Sequence, residues 1–376
     1  MLCGWSASGK SPEEGGRPVF DVVTGISTGS LIAPFAFLGS EYDPVIQDLY
    51  TNVRNPDIFE IRRSVRSFFA ESVADNAPLK IRVDAQVTYD MLRKVAGEHA
   101  KGRRLYVGST NLDTKRLIVW DMGVIATRGT EEARRLFVDV IIASATIPGF
   151  FPSARFHVTI DGVPYEEMHV DGGVTRALFF RPPFIPASET KASALTVVAG
   201  SNLYSLVAGK IYPDPEGVRE RTVAVVGASV SNLLYATTRG DLYRFYTYCM
   251  LTGMNYFVSA IPPELKVTNS STNFDPAETR KMFSEGYKLG AEGAFTRSKL
   301  PDPRSPTGAP YQYADGPPIL FKTPGPAWRD TPPGLEVGER IENRAGLTLT
   351  VRKPSTATPH PQGTDQNSTG APPVAK

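Results

Sequence analysis

The stretch Val19-Phe20-Asp21-Val22-Val23-Thr24-Gly25-Ile26-Ser27-Thr28-Gly29-Ser30-Leu31 decides how this chain folds. An apolar, β-like run from Val19 to Val23 leads into Gly25-Ile26-Ser27-Thr28-Gly29, and a second apolar run, Leu31 to Leu38, leads out. Strand, abrupt turn and helix is the reading. A serine with glycine two residues to either side is the pattern of a nucleophile elbow. The turn is so tight that side chains at the flanking positions are expected to strike neighbouring backbone, so glycine fits at both. Ser27 Oγ is then expected to stand above the sheet edge, at a helix N-terminus whose dipole favours developing negative charge.

Outward from this motif, 376 residues suffice for one large α/β core with an appendage. With 41 Lys+Arg against 39 Asp+Glu, no strong net field recruits a polyanion, which argues against nucleic acid as a partner. Arg54 to Arg66, with Arg62-Arg63, forms a local basic cluster, either a solvated face or a contact for anionic lipid headgroups at a membrane surface. Cys3 and Cys249 give neither a disulfide framework nor a zinc spacing, and four histidines leave little for a metal site. No cofactor is implied. No apolar run reaches the length of a membrane span, and Val223 to Ala228 is interrupted by Gly227 and Ser229. Met1-Leu2-Cys3-Gly4-Trp5 lacks the basic start and long apolar segment of a signal peptide, and location is left open.

Apolar spacing predicts helices over 43–53, with Asp43 as N-cap, over 84–100, with Val87, Met91, Leu92 and Val95 inward, and over 130–145, with Thr130 as N-cap. Residues 54–82 read as irregular. Strands are expected at 104–111 and 116–122 around the turn Leu112-Asp113-Thr114-Lys115, and at 156–160 and 163–170 around Asp161-Gly162. Further strands are expected at 194–200 and 255–261, and helices at 222–252 and 275–294, the last with Asp275 as N-cap and Pro276 in its first turn. Beyond about residue 300 proline dominates. Residues 298–352 read as an irregular extension packing on the core, and 353–376 as a disordered tail.

A serine hydroxyl needs a base to take its proton and donors to hold the oxyanion. Asp171-Gly172-Gly173 follows the apolar strand ending at Val170. An aspartate at a strand end, followed by two glycines, can approach another backbone closely, and partial removal from water raises its pKa towards a useful range. The Asp-Gly pairs Asp161-Gly162 and Asp315-Gly316 read as ordinary turns.

On these pieces the chain resembles the patatin-like phospholipases, a family of lipid acyl hydrolases. Gly25-Ile26-Ser27-Thr28-Gly29 matches the family's elbow. Ala143-Ser144-Ala145-Thr146-Ile147-Pro148-Gly149-Phe150-Phe151-Pro152 is similar to the segment it carries between nucleophile and aspartate, and Asp171-Gly172-Gly173 to its Asp-Gly-Gly/Ala motif. The resemblance implies Ser27 as nucleophile and Asp171 as proton acceptor, a dyad without histidine acting on lipid esters through an acyl-enzyme. It implies an α/β fold, a three-layer α/β/α sandwich with a mostly parallel central sheet, over residues 1–297. One family element has no match. Its oxyanion loop, Gly-Gly-Gly-x-Arg/Lys-Gly, is absent from residues 1–24, leaving the Thr28 backbone N–H as the donor within the motif. Either the natural start lies upstream of Met1 or the chain is an inactive relative acting as a lipid-binding or scaffold protein. A Ser-His-Asp α/β-hydrolase is the other alternative. It needs a histidine after the acid, where only His360 stands; His169 reads as a structural histidine.

Overall fold

The computed structural model describes residues 1–61, 71–180, 198–211, 217–262, 265, 274–293, 340–342 and 348–350. Two compact units divide the chain, Met1–Pro317 and Pro318–Lys376. Most of the expected 298–352 extension, all of the 353–376 tail, His360 and Arg62-Arg63 lie outside the described residues.

The first unit is α/β. In chain order it runs α1 (Leu2–Ala7), β1 (Val22–Gly25), α2 (Thr28–Leu38), α3 (Asp43–Thr51), α4 (Asn55–Ile58), β2 (Glu60–Ile61), β3 (Ala74–Asp75), α5 (Ala77–Gln86) and α6 (Tyr89–Ala100). There follow β4 (Arg104–Asn111), β5 (Arg116–Asp121), α7 (Met122–Thr127), α8 (Glu131–Ser144), β6 (Ala154–Ile160) and β7 (Val163–Asp171). The unit closes with β8 (Asn202–Leu206), α9 (Thr222–Thr252), β9 (Asn255–Ser259) and α10 (Pro276–Ala291). In the second unit, β10 (Arg340–Glu342) pairs antiparallel with β11 (Thr348–Thr350).

Among the described residues the main sheet has five strands and is mixed, not mostly parallel. β1 pairs in parallel with β4, whereas β5 and β7 pair antiparallel with β4, and β6 antiparallel with β7. Short turns explain the difference. Asp161 and Gly162 take φ of 52° and 81°, the conformation of a two-residue hairpin turn, so β6 and β7 are bound to run antiparallel. A second sheet pairs β8 with β9 in parallel.

The register on β4 positions everything that follows. β5 occupies one edge of β4, opposite residues 106–111. The other edge is shared. β1 covers Arg104 to Val107, ending with Gly25 opposite Val107, and β7 covers Asn111 to Ser109, ending with Asp171 opposite Ser109. The two strands therefore run towards each other along one edge and stop head to head, with Gly108 between them. Below this junction lies the core: Phe37, Leu92, Val95, Leu105, Val107, Met122, Phe137 and Ile141 are almost wholly buried together. Each such side chain contributes about 1.5–3 kcal/mol by leaving water.

Several elements depart from the expectations. Asp43 is the first residue of α3 instead of its cap, because its carboxylate is held by Arg17 at 2.7 Å. The single helix expected over 84–100 is two: α5 ends at Gln86, Val87 turns into the core, and Thr88 Oγ1 caps α6 by accepting the Met91 N–H at 3.2 Å. The described residues of 54–82, expected to be irregular, hold α4, the β2–β3 pair and the start of α5. Met122 opens α7, since Asp121 caps that helix through the Val124 N–H. Residues 198–200 form a turn in which Gly200 has φ 80°, and the strand begins at Asn202; residues 194–197 lie outside the described residues.

Candidate active site

Ser27 stands between the end of β1 and the start of α2, half-buried, with φ 54° and ψ −126°. A side chain in this left-handed region costs about 1–3 kcal/mol and persists only where the surroundings impose it. Here they do. The Ser27 N–H donates to the Ser144 carbonyl at 3.1 Å and to Ser144 Oγ at 3.1 Å. The Ser27 carbonyl accepts from the Ser30 N–H at 2.9 Å and from Ser30 Oγ at 2.7 Å, and Ser30 is wholly buried.

The flanking glycines are not equivalent. A Cβ on Gly25 would lie 2.5 Å from the Gly29 carbonyl oxygen and 2.8 Å from Ala33 Cβ, so nothing larger than glycine fits. A Cβ on Gly29 would meet nothing within 4 Å. The expectation of a steric need at both positions is thus corrected: Gly29 faces open space, and the crowding falls wholly on Gly25. Ile26 packs towards the junction, where its side chain comes near Gly108 and Gly172. The Thr28 N–H is the first of α2 and has no acceptor in the turn before it, as at any helix start.

Asp171 ends β7 and is 2% exposed. Its N–H donates to the Thr146 carbonyl at 2.8 Å, and its Oδ1 accepts the Gly173 N–H at 2.7 Å. The Ser27 hydroxyl interacts with the carboxyl. Burial pushes the Asp171 pKa up to about 6, prevailing over Ser27 and the Gly173 N–H, which both draw it down. Gly172 is needed for this approach, since a Cβ there would lie 2.5 Å from the Gly108 carbonyl oxygen; a Cβ on Gly173 would make only a tight contact, 3.0 Å from Asp171 Oδ1.

The segment Ser144-Ala145-Thr146 joins the two halves. Ser144 receives the Ser27 N–H, Thr146 receives the Asp171 N–H, and both side chains are wholly buried at the end of α8. The sequence alone assigns these residues no part. The signal available was a Ser-x-Thr at the point where Pro148 and Gly149 stop an apolar helix.

His169 is not part of this arrangement. Its Nδ1 is 2.8 Å from Ser109 Oγ and its Nε2 3.2 Å from Glu167, and the Trp120 Nε1–H donates to Ser109 Oγ at 2.9 Å. The Glu167 carboxylate can only accept, so Nε2 carries its proton towards it, and in that neutral tautomer Nδ1 accepts from the Ser109 hydroxyl, whose oxygen takes the indole N–H. The set has the make-up of a Ser-His-acid triad, but Ser109 and His169 are wholly buried against Trp120 and Phe156. A surface depression of roughly 470 Å³ beside Pro148, Gly149, Phe151 and Val170 includes neither Ser27 nor Asp171.

Compared with known families, residues 2–184 match the family model of the patatin-like phospholipases, enzymes that act on lipids. The matched span contains Ser27, Ser144, Thr146 and Asp171. No curated protein matches the chain.

Proposed function

Residues 2–184 of this chain belong to the patatin-like phospholipase family, and from that premise we propose that the protein is a serine lipid acyl hydrolase, of the phospholipase A or esterase type, working through a Ser27–Asp171 dyad. One observation carries the reading: the head-to-head ends of β1 and β7 on a single edge of β4, which bring the Ser27 hydroxyl to the Asp171 carboxyl. With a pKa of about 6, Asp171 is ionised at neutral pH yet basic enough to accept a proton. It takes the Ser27 proton as Oγ adds to the ester carbonyl, and the Thr28 N–H donates to the oxyanion. Asp171 returns the proton to the departing alcohol. It next deprotonates the water that releases the fatty acid and hands that proton back to Ser27. One carboxyl moves every proton, so no histidine is required. We assign the catalytic domain to residues 1–297, with 298–352 and 353–376 as extension and tail.

The other candidate is a patatin-like protein that binds lipid without cleaving it. Fluorophosphonate labelling separates the two. The catalytic reading expects a covalent adduct on Ser27 that the Ser27→Ala variant lacks; wild-type protein that stays unlabelled favours the binding reading.

A further inference from the structure

Helix α9 is two helices in character. Its C-terminal half is embedded: Leu242 and Cys249 are 3% and 2% exposed and pack with Leu203, Tyr256 and Val258. Asp241, almost fully buried, fastens this half to the chain just after the Asp171 turn by accepting the Ala177 and Leu178 N–H groups at 2.8 and 3.1 Å. The N-terminal half is different. From residue 224 to 240 no residue is buried, and from Thr222 to Thr238 the sequence has no Asp, Glu, Lys or Arg. Val225, Val226 and Leu233 are 49%, 56% and 67% exposed. This half lies at the site: Leu234 Cδ2 would be 3.1 Å from a Cβ placed on Gly173, and the nearby Val174 is 43% exposed.

Val225, Val226 and Leu233, with exposed Ser229 and Asn232 on the same side, make an uncharged, largely apolar face next to the site, and such a face marks an interaction surface. Its flanks indicate the partner. Arg219 and Arg221 are exposed at the start of the helix, where with Glu220 they leave a net positive charge, and Arg239 closes the uncharged stretch. Apolar side chains bordered by arginines suit a lipid–water interface bearing anionic headgroups, with the helix lying in the interfacial plane. We propose that the N-terminal half of α9, through Val225, Val226 and Leu233 together with Val174, docks the protein onto an anionic lipid surface and so presents the Ser27 site to lipids held there. The proposal rests on the lipid hydrolase reading for its purpose, though not for its chemistry. No helix among the described residues is long and apolar enough to cross a membrane, so the contact is one of lying on the surface.

The test uses the full chain with vesicles of phosphatidylcholine alone and of phosphatidylcholine with phosphatidylglycerol, read by co-sedimentation. The wild type is expected to bind the anionic vesicles more tightly. The V226D/L233D variant should lose about tenfold or more in vesicle affinity, the milder Leu233→Ser a smaller part of it, and R219Q/R221Q the preference for the anionic vesicles. All three should keep the circular dichroism of the wild type and its rate on a monomeric, water-soluble short-chain ester. Wild type that fails to bind vesicles, or variants that bind as well as wild type, would overturn the proposal. So would a wild-type dimer in sedimentation velocity that Leu233→Ser dissociates, which would make this face a contact between copies. Vesicle binding lost in V226D/L233D, with no ester cleaved by any form, would uphold the docking surface and sink the hydrolase reading alone.

Discussion

Taking Asp171 out of water makes it a better base and a worse tenant. On the proposed dyad, its pKa of about 6 should set the acid limb of activity: kcat/KM is expected to fall as pH drops through about 6, because the protonated carboxyl accepts nothing. Stability runs the other way. The folded pKa exceeds the ordinary carboxylate value of 3.8 in the unfolded chain, so ionisation above pH 6 costs folding energy that is relieved between about pH 6 and pH 4. Asp171→Asn should therefore lower kcat by about a hundredfold or more and raise stability at pH 8 by about 1–3 kcal/mol. Urea unfolding of the two forms at pH 8 checks the second claim; a variant less stable than wild type would count against the burial argument. The glycines give a sharper contrast. Gly25→Ala, forced against the Gly29 carbonyl, should cost several kcal/mol or abolish folding, whereas Gly29→Ala, which meets open space in a helix, should hold or raise the melting temperature by a few degrees.

Among the elements, β4 and the end of α8 do most to define the site. Ser144→Ala leaves the Ser144 carbonyl to receive the Ser27 N–H and removes only the hydroxyl, so a stability loss of about 0.5–1.5 kcal/mol is expected. A fall in kcat with little change in KM should accompany it, measurable on a soluble ester. His169 offers the opposite test. Replacing it by Gln should destabilise the core by about 1–3 kcal/mol through Ser109 and Glu167, yet leave the rate per folded molecule near normal. A collapse of that rate would revive the histidine-dependent alternative. At this scale the limits of the sequence are plain. The elbow, the Asp-Gly-Gly turn and the helix stop at Pro148 were legible because each is local chemistry. The register on β4 was not, because which residue of one strand faces which of another is fixed by packing far away in the chain. Likewise Thr88, which caps α6, sits in an unbroken apolar pattern and betrays itself only once Val87 is seen to turn inward.

For the molecule as a whole, the division at residue 317 yields its own expectation. If Met1–Pro317 stands as a unit, removing Pro318–Lys376 should shift its melting temperature by no more than about 2 °C, read by calorimetry, and leave ester hydrolysis unchanged. The change of composition near residue 298 lies well before the division at 317, and the two short strands within the second unit carry too little pattern to be seen in the sequence. The single edge of β4 shared by β1 and β7 also has a temporal consequence. Neither strand end can find the other by local collapse: β1 must first seat on residues 104–107, and β7 must travel from far along the chain to residues 109–111. Such long-range closures are slow compared with helix formation. During refolding, then, the reactivity of Ser27 towards a fluorophosphonate should return after the helical signal, making the serine a clock for the last step of assembly.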